Sequence, residues 1–402
     1  MNKRILILCE AIAPPAYSPR IITLVEYLQS QGWHCEIATE MDNDTTFQSN
    51  NCTLHQMPTY HNLVADKLFG AKERAFFNYI CQHIDVASFD LILCASYYYF
   101  PLQTAARLAK RYHLPLIVDL RDISEQWGTL DFYTRTFTGQ VTIDTIVKRL
   151  YTFINRKQRN RVLHAANAVT TVSPWHQQLL SQWNSNTHLI YNGYDATTFY
   201  PQDIPSHTFD ITFIGKYYAH YAECPTLLFA ALKALIEEKS INKSHINVQF
   251  YTNVIGQKAF AELAAQYSIS EIVQVSNYIP REHIVPIMHQ SSIMMVLTTS
   301  AKQHDTHGIM GTKFYEILGI EKPCLCLTSD EECLANAIQQ THAGLAATNV
   351  NEVKTFILEK YNEWQQNGFT HQAVINKELF SREKQAQQFE QLFIHTLKSR
   401  NS

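Results

Sequence analysis

Short apolar runs alternate with segments of helical spacing along the chain, and this alternation limits the folds that the chain can adopt. In the first half, apolar runs lie at Ile5 to Cys9, His34 to Ala38, Leu91 to Cys94 and Pro115 to Leu120. A strand that is buried on both faces has a continuous apolar run, whereas a half-exposed strand alternates. The pattern therefore predicts a parallel sheet that is covered by helices on both faces.

A second series of the same kind follows the segment "YPQDIPSH" at 200–207, whose two prolines interrupt every period. Its runs include Phe209 to Ile214, Ile246 to Thr252, Ser292 to Thr299 and Lys322 to Thr328. A chain of 402 residues, of which 46% are apolar, can fill two cores. We therefore predict two doubly wound α/β domains in tandem.

The predicted organisation has three parts, an N-terminal domain at 1–200, a C-terminal domain at 201–380 and a helix at 381–402. The helix has apolar residues at helical spacing, among them Phe389 and Phe393. Either domain could receive this apolar stripe, and we expect the helix to pack back toward the N-terminal domain.

Composition and charge exclude several classes of protein. A net charge of -3 gives no general attraction to nucleic acid. The chain has no run of eighteen apolar residues, and Glu10 interrupts the first apolar run, so we predict neither a membrane span nor a secretory signal. The nine cysteines lie mostly in apolar runs, which is typical of a reducing compartment. We therefore expect a cytoplasmic protein.

The stretch "THGIMGTKFYEILGIEKPC" combines a glycine-containing loop with a helix that carries Lys313 and Glu316 on one side. Gly308 and Gly311 permit close backbone approach, and a helix start at Thr312 would supply free N–H groups for an anion. Lysine would bind phosphate oxygens, and an ionised glutamate would accept from two vicinal hydroxyls, as in a ribose. The alternative is a solvated ion pair at i,i+3. The loop and the flanking strands favour the ligand site.

This stretch resembles the donor-binding segment of GT-B glycosyltransferases of the family 4 type, which build bacterial surface polysaccharides. Other motifs stand in the order that the family leads one to expect, and together they cover nearly the whole chain. They are "LCEAIAPPAYSPR" at 8–20, "VDLRD" at 118–122, "ANAVTTVSP" at 166–174, "IYNGYD" at 190–195 and "ITFIGKYY" at 211–218. The resemblance implies two Rossmann-like domains that face each other across a cleft, with the donor held by the second domain.

The donor implied by the resemblance is a UDP- or GDP-sugar. The donor-binding residues implied are Gly215, Lys216, Tyr278, Ile279, Gly308, Ile309, Met310, Gly311, Thr312, Lys313 and Glu316. Lys216 and Lys313 would stabilise the leaving diphosphate and so take part in catalysis. Two positions depart from the family pattern, because Gly308 replaces a glutamate and Ala222 replaces a lysine. His220 or His307 could substitute for these groups.

The acceptor is expected at the first domain. Arg121 and Asp122 follow the strand "VDL", where a carboxylate could orient or deprotonate an acceptor hydroxyl. An internal Arg-Asp ion pair is the alternative. Pro15, Ser18 and Arg20 of the proline-rich turn are expected to face the same acceptor.

No metal or cofactor is expected. His304 and His307 form an H-x-x-H without evident further ligands. The resemblance also argues against a catalytic metal, because GT-B enzymes generally neutralise the leaving diphosphate with basic side chains and helix dipoles.

The one dense basic segment is "KRLYTFINRKQRNR" at Lys148 to Arg161, in which apolar residues are interleaved. It predicts a peripheral contact with an anionic membrane at the inner face of the cytoplasmic membrane, near a lipid-linked acceptor. A solvated helix face is the alternative.

The resulting hypothesis is a glycosyltransferase that moves a hexose from a nucleotide-diphosphate sugar to a hydroxyl of a glycan or a lipid-linked glycan. The resemblance implies that the anomeric configuration is retained. A GT-B sugar-nucleotide epimerase is the rival enzyme. A catalytically silent binding subunit is the rival from another class, because a glutamate and a lysine of the family pattern are missing.

Overall fold

The computed structural model describes residues 3–10, 12, 19–40, 52–60, 70–127, 141–218 and 222–401. The chain forms two compact units, of which unit 1 comprises Met1–Asn192 with Arg382–Ser402 and unit 2 comprises Gly193–Ser381. Each unit is built on its own parallel sheet, one of seven and one of six strands. The predicted pair of doubly wound, Rossmann-like α/β domains is confirmed.

The strands of unit 1 are β1 (Arg4–Cys9), β2 (His34–Glu40), β3 (Thr53–Met57), β4 (Leu91–Ser96), β5 (Leu116–Leu120), β6 (Ala168–Thr171) and β7 (Thr187–Leu189). Its helices up to the end of β7 are α1 (Pro19–Ser30), α2 (Ala71–His83), α3 (Leu102–Tyr112), α4 (Val141–Ala165) and α5 (Pro174–Leu180). The sheet order is β3-β2-β1-β4-β5-β6-β7, and all pairs are parallel. The strand order reverses between β1 and β4, where open α/β sheets form a crevice beyond their carboxyl ends.

Burial explains why these runs form a central sheet. Successive residues of a strand point to opposite faces, and the residues of β1 divide accordingly between two cores. Leu6 and Leu8 pack in the core on one face, and Ile5 and Ile7 pack in the core on the other face. All four side chains are fully buried. The continuous apolar run of β1 therefore reflects helices on both faces of the sheet.

The strands of unit 2 are β8 (Phe209–Ile214), β9 (Ile246–Tyr251), β10 (Val273–Ser276), β11 (Ile293–Leu297), β12 (Cys324–Leu327) and β13 (Gly344–Ala346). Its helices are α6 (Thr226–Glu237), α7 (Val254–Gln266), α8 (Arg281–Gln290), α9 (Ala301–His304), α10 (Thr312–Ile320), α11 (Cys333–Thr341) and α12 (Val350–Asn367). The order β10-β9-β8-β11-β12-β13 is again all parallel. Its reversal lies between β8 and β11.

The units divide at Asn192, several residues before the boundary at 200 that the prolines predict. Tyr194 accounts for the difference, because its backbone N–H donates to the carbonyl of Phe380 at 3.0 Å within unit 2. Gly319 also lies against this segment, since a Cβ there would come within 2.7 Å of Tyr194 Cδ2 and 2.8 Å of the Phe199 carbonyl. These contacts assign the residues after Asn192 to unit 2.

The last helix, α13 (Arg382–Asn401), belongs to unit 1 and packs on α1. Phe389 and Phe393 are buried in the core that includes Leu24 of α1. Trp33 Nε1 donates to Glu390 Oε1 of α13 at 2.9 Å. The chain therefore returns to unit 1 after it has completed unit 2.

Candidate functional site

The segment that leads into α10 lies at the carboxyl edge of the unit 2 sheet, after β11 and α9. Gly308 has φ +66°, a left-handed conformation that favours glycine. Gly311 caps α10 with φ -62° and ψ 143°, and a Cβ built there would meet nothing within 4 Å. The fold itself therefore does not require a glycine at 311. The first N–H groups of a helix have no intrahelical partner, so the N-terminus of α10 could bind an anion.

Lys313 and Glu316 share one face of α10, with Lys313 Nζ 2.6 Å from Glu316 Oε2. Their side chains are 28% and 17% exposed, so the pair is mostly buried rather than solvated. Phe314, Ile317 and Leu318 pack in the interior of unit 2. The arrangement sets an ammonium and a hydrogen-bond-accepting carboxylate beside a helix N-terminus, as a phosphate and a polyhydroxyl group would require.

A second cation follows β8 at the point where the strand order reverses. Gly215 and Lys216 come directly after the strand, and the backbone of Tyr217 is fixed by Asn253, whose side chain accepts from the Tyr217 N–H at 2.9 Å and donates to its carbonyl at 3.1 Å. Lys216 is exposed, and its Nζ lies 4.6 Å from the ring centroid of Tyr218. No carboxylate in the described ranges lies within ion-pair distance of Lys216, so its charge is available to a ligand.

Tyr278 and Ile279 lie just after β10, at the same edge of the sheet. Tyr278 is 56% exposed, and β10 is the outermost strand on that side. One strand, β9, lies between β10 and β8, and Lys216 follows the end of β8. The predicted donor residues of unit 2 thus follow β8, β10 and β11, all at the carboxyl edge.

His307 precedes Gly308, and carboxylates hold both of its ring nitrogens. Nδ1 lies 2.7 Å from Glu332 Oε1, and Nε2 lies 3.0 Å from Asp305 Oδ1. Partial burial alone would lower the pKa of His307, but the hydrogen bonds and charges of Glu332 and Asp305 outweigh this and raise the pKa. The imidazole therefore fixes the loop, and both of its nitrogens are already engaged. His220, the other histidine suggested as a substitute, lies outside the described residues.

Sequence reasoning missed Glu223, which lies at the same edge of unit 2. Its carboxylate accepts from Thr299 Oγ1 at 3.2 Å and from Thr328 Oγ1 at 3.0 Å. His304 Nε2 lies 3.6 Å from Glu223 Oε1. The threonines follow β11 and β12, the two strands that α10 connects, so this carboxylate lies at the same sheet edge as the predicted donor segment.

In unit 1, Arg20 has an internal role that differs from the predicted contact with an acceptor. Its Nε and one terminal nitrogen donate to the two carboxylate oxygens of Asp119 at 3.0 and 2.9 Å, and another nitrogen donates to the carbonyl of Tyr191 at 2.9 Å. Arg20 is 4% exposed and Asp119 is fully buried. This ion pair ties α1 to β5. Pro15 and Ser18, the other predicted residues of the turn, lie outside the described residues.

Arg121 and Asp122 follow β5 at the carboxyl edge of unit 1, as the sequence predicts. The Arg121 guanidinium lies 3.9 Å from the ring centroid of Tyr97, and Asp122 accepts from Gln126 Nε2 at 3.3 Å. Burial raises the pKa of Asp122, although the Gln126 hydrogen bond and the Arg121 charge oppose this shift. Carboxyl groups with a raised pKa are candidates for proton transfer.

The basic segment lies within α4. Some of its basic side chains are bonded to other residues of unit 1, and others are exposed. Arg159 donates to both carboxylate oxygens of Glu125 at 2.8 and 2.6 Å, and Arg156 donates to Ser124 at 2.7 Å. Arg149, Lys157 and Arg161 are exposed instead. Large apolar side chains are exposed on the same helix, namely Val141, Ile143, Ile146, Leu150, Phe153 and Ile154. The outer face of α4 is therefore apolar and basic.

Among the described residues, no three His, Cys, Asp or Glu side chains are grouped so that they could hold a metal ion. No helix in the described part of the chain combines the length and the apolar character needed to cross a membrane. The nine cysteines all lie in the described ranges as free thiols, and Cys324 and Cys326 are buried in β12.

Comparison with known proteins places these sites in context. Residues 17–193 match a family model described as a glycosyl transferase 4-like domain. No curated protein matches the chain.

Solved structures resemble the chain over nearly its whole length. The structure of Anabaena Alr3699/HepE in complex with UDP and glucose has a TM-score of 0.66 at 13% identity and covers 98% of this chain and 100% of its own. Sucrose-phosphate synthase from Thermosynechococcus elongatus has a TM-score of 0.59 at 15% identity, covering 99% and 100%. The lipopolysaccharide outer core galactosyltransferase WaaB has a TM-score of 0.61 at 12% identity, covering 99% of each chain. At these identities the likeness shows the fold.

Proposed function

The chain has the GT-B fold and resembles family 4 glycosyltransferases, and from that premise we propose that it transfers a hexose from a nucleotide-diphosphate sugar to a hydroxyl group. The observation that carries the proposal is the mostly buried Lys313–Glu316 pair near the N-terminus of α10. HepE structures hold UDP and UDP-glucose, which supports a nucleotide sugar as donor, and we propose a UDP- or GDP-sugar. The proposed acceptor is a glycan or a lipid-linked glycan.

Each donor residue has a distinct proposed role. The N–H groups after Gly311 and the ammonium of Lys313 bind the diphosphate, and Lys216 adds a second cation from the loop after β8. Glu316 accepts hydrogen bonds from the ribose hydroxyls. Side chains and backbone dipoles would thus stabilise the negative charge that develops on the leaving diphosphate. We propose that the transfer uses no metal or cofactor.

On the acceptor side, we propose that Asp122 orients the attacking hydroxyl and that Arg121 provides a nearby positive charge. The raised pKa of Asp122 supports a part in proton transfer. We do not propose an acceptor contact for Arg20, because its guanidinium is buried in an ion pair with Asp119. Retention of the anomeric configuration rests on the resemblance, and the anomeric coupling constant of the product would test it.

Nucleotide sugars are expected to raise the unfolding temperature of the protein. A ligand at about 100 times its dissociation constant adds about 2.7 kcal/mol to the free energy of unfolding. For a chain of 402 residues that unfolds as one unit, this corresponds to a rise of about 3 °C. Thermal-shift measurements with UDP-, GDP-, CMP- and dTDP-sugars would identify the base. If none of them raises the unfolding temperature, the donor assignment is wrong.

Mass spectrometry then separates the rival functions. A transferase releases nucleoside diphosphate and forms a glycosylated product only when an acceptor is present. An epimerase converts the donor without any acceptor. A silent binding subunit shows a thermal shift but no turnover of the bound donor with a mixed pool of lipid-linked glycans.

We further propose that the outer face of α4 rests on an anionic bilayer, at the inner face of the cytoplasmic membrane. Leu150 and Phe153 are 58% and 64% exposed, and Arg149 and Lys157 stand beside them. Apolar side chains that enter the headgroup region and basic side chains that meet anionic lipids are the two components of interfacial binding. Arg156 and Arg159 take no part because Ser124 and Glu125 hold them.

Replacing Arg149 and Lys157 by glutamine is expected to lower vesicle affinity about tenfold to thirtyfold, since each cation near an anionic surface contributes about 1 kcal/mol. Co-sedimentation with vesicles of phosphatidylcholine and phosphatidylglycerol measures the bound fraction. The control replaces by glutamine Lys233 and Lys258 of unit 2, whose side chains are 43% and 78% exposed. Equal binding by the two double variants would show that α4 is a solvated face.

A further inference from the structure

Glu223 occupies a defined place at the carboxyl edge of unit 2. Its backbone N–H donates to the carbonyl of Thr298 at 3.0 Å, which fixes the residue at the end of β11. Its two carboxylate oxygens each accept one threonine hydroxyl, Oε1 from Thr299 at 3.2 Å and Oε2 from Thr328 at 3.0 Å. The carboxylate is thereby oriented by hydroxyl groups that carry no charge.

We propose that Glu223 binds the hydroxyl groups of the sugar of the nucleotide-sugar donor. This inference rests on the proposed function and adds the group that recognises the sugar itself. Glu316 would bind the ribose, and Glu223 would bind the transferred residue.

The hydrogen-bonding capacity of the carboxylate supports this role. An ionised carboxylate is acceptor-only, with about four lone-pair sites on its two oxygens. The threonines use one site on each oxygen, which leaves a further site on both. The side chain is 30% exposed, so these sites can be reached from solvent. Two free acceptor sites on adjacent oxygens match two vicinal hydroxyls of a hexose.

Position along the sheet supports the same role. Thr299 and Thr328 follow β11 and β12, and α10 is part of the connection between these neighbouring strands. A crossover helix that follows a parallel strand begins at the carboxyl edge, so the N-terminus of α10 lies at the edge where Glu223 stands. A diphosphate at that terminus would carry its sugar within this region.

Two neighbouring glutamates already have basic partners. Glu331 pairs with Lys302 at 2.7 Å, and Glu332 pairs with His307 at 2.7 Å. Glu223 has only the His304 ring at 3.6 Å as a basic neighbour within 4 Å among the described residues. No lysine or arginine of the described residues therefore occupies the remaining acceptor sites of Glu223.

Replacing Glu223 by glutamine separates sugar binding from a purely structural role. The amide can still accept from one threonine and donate to the other, so the link between β11 and β12 is kept. We expect the Glu223→Gln variant to bind UDP-glucose or GDP-mannose, whichever the wild type binds, about tenfold to a hundredfold more weakly. Its affinity for UDP or GDP alone should stay within twofold of wild type, as measured by isothermal titration calorimetry.

The matched control is Glu331→Gln, which changes a carboxylate of similar exposure in the neighbouring loop and should leave both affinities unchanged. Equal loss of nucleotide-sugar and nucleotide affinity in Glu223→Gln would overturn the inference, as would wild-type affinity for both. Failure of the wild type to bind any nucleotide or nucleotide sugar would instead reject the proposed function. The two failures are thus distinguishable.

Discussion

Replacing Glu316 by alanine is expected to weaken the binding of nucleoside diphosphate about a hundredfold to a thousandfold. The proposed carboxylate accepts from two ribose hydroxyls, and a hydrogen bond to a charged group contributes about 1.5 to 3 kcal/mol. The variant also leaves Lys313 without the partner that lies 2.6 Å from it, but this cation can still bind phosphate. Isothermal titration with UDP or GDP measures the change in affinity directly.

A structural ion pair elsewhere in unit 2 supplies the matched control. Lys360 and Glu363 also stand at i,i+3, with Nζ 3.0 Å from Oε2 and side chains 9% and 25% exposed. Their helix, α12, does not belong to the candidate site. Glu363→Ala should therefore change stability without changing nucleotide affinity. If Glu316→Ala binds nucleotide as wild type does while its unfolding temperature falls, the pair on α10 is structural too.

The central strands were predictable from sequence because they are buried on both faces. The run predicted at Phe209 to Ile214 forms β8 over the same residues, and all six are buried. β3 (Thr53–Met57) was missed because it is an edge strand in which only Met57 is buried, so it carries polar residues. The three-residue strand β13 was missed for a similar reason, since all of its residues are partly exposed.

The candidate site was predictable where its residues are consecutive, as at α10. The spacing of Lys313 and Glu316 places them on one face of a helix, and the structure pairs them there. Interactions between distant segments left no signal in a single sequence. Arg20 meets Asp119 across 99 residues, and Glu223 meets Thr328 across 105. Neither partner could be identified before the order of the strands was known.

The sequence also could not show that Arg156 and Arg159 differ from the other basic residues of α4 in bonding to Ser124 and Glu125. A dense run of cations in sequence covers all sides of a helix, and the periodicity of charge does not show which side meets a carboxylate of the same domain. Glu125, which receives both arginines, lies in the loop after β5. The predicted basic segment is thus partly a support for that loop.

Replacing Lys216 by methionine is expected to lower kcat about a hundredfold to a thousandfold, the loss seen when one group that stabilises developing negative charge is removed. Negative charge on the diphosphate grows as the bond to the sugar breaks, so an exposed cation that no described carboxylate neutralises contributes most in the transition state. The apparent KM for the donor should change less than kcat. Steady-state rates of nucleoside diphosphate release over a range of donor concentrations give both values.

Lys302→Met is the control for charge at this edge, because Lys302 is 75% exposed and already pairs with Glu331. It should leave kcat within twofold of wild type. A kcat that is unchanged in Lys216→Met, with only KM raised, would mean that Lys216 binds the donor equally in the ground state and in the transition state. Only Lys313 and the N-terminus of α10 would then stabilise the leaving diphosphate in the transition state.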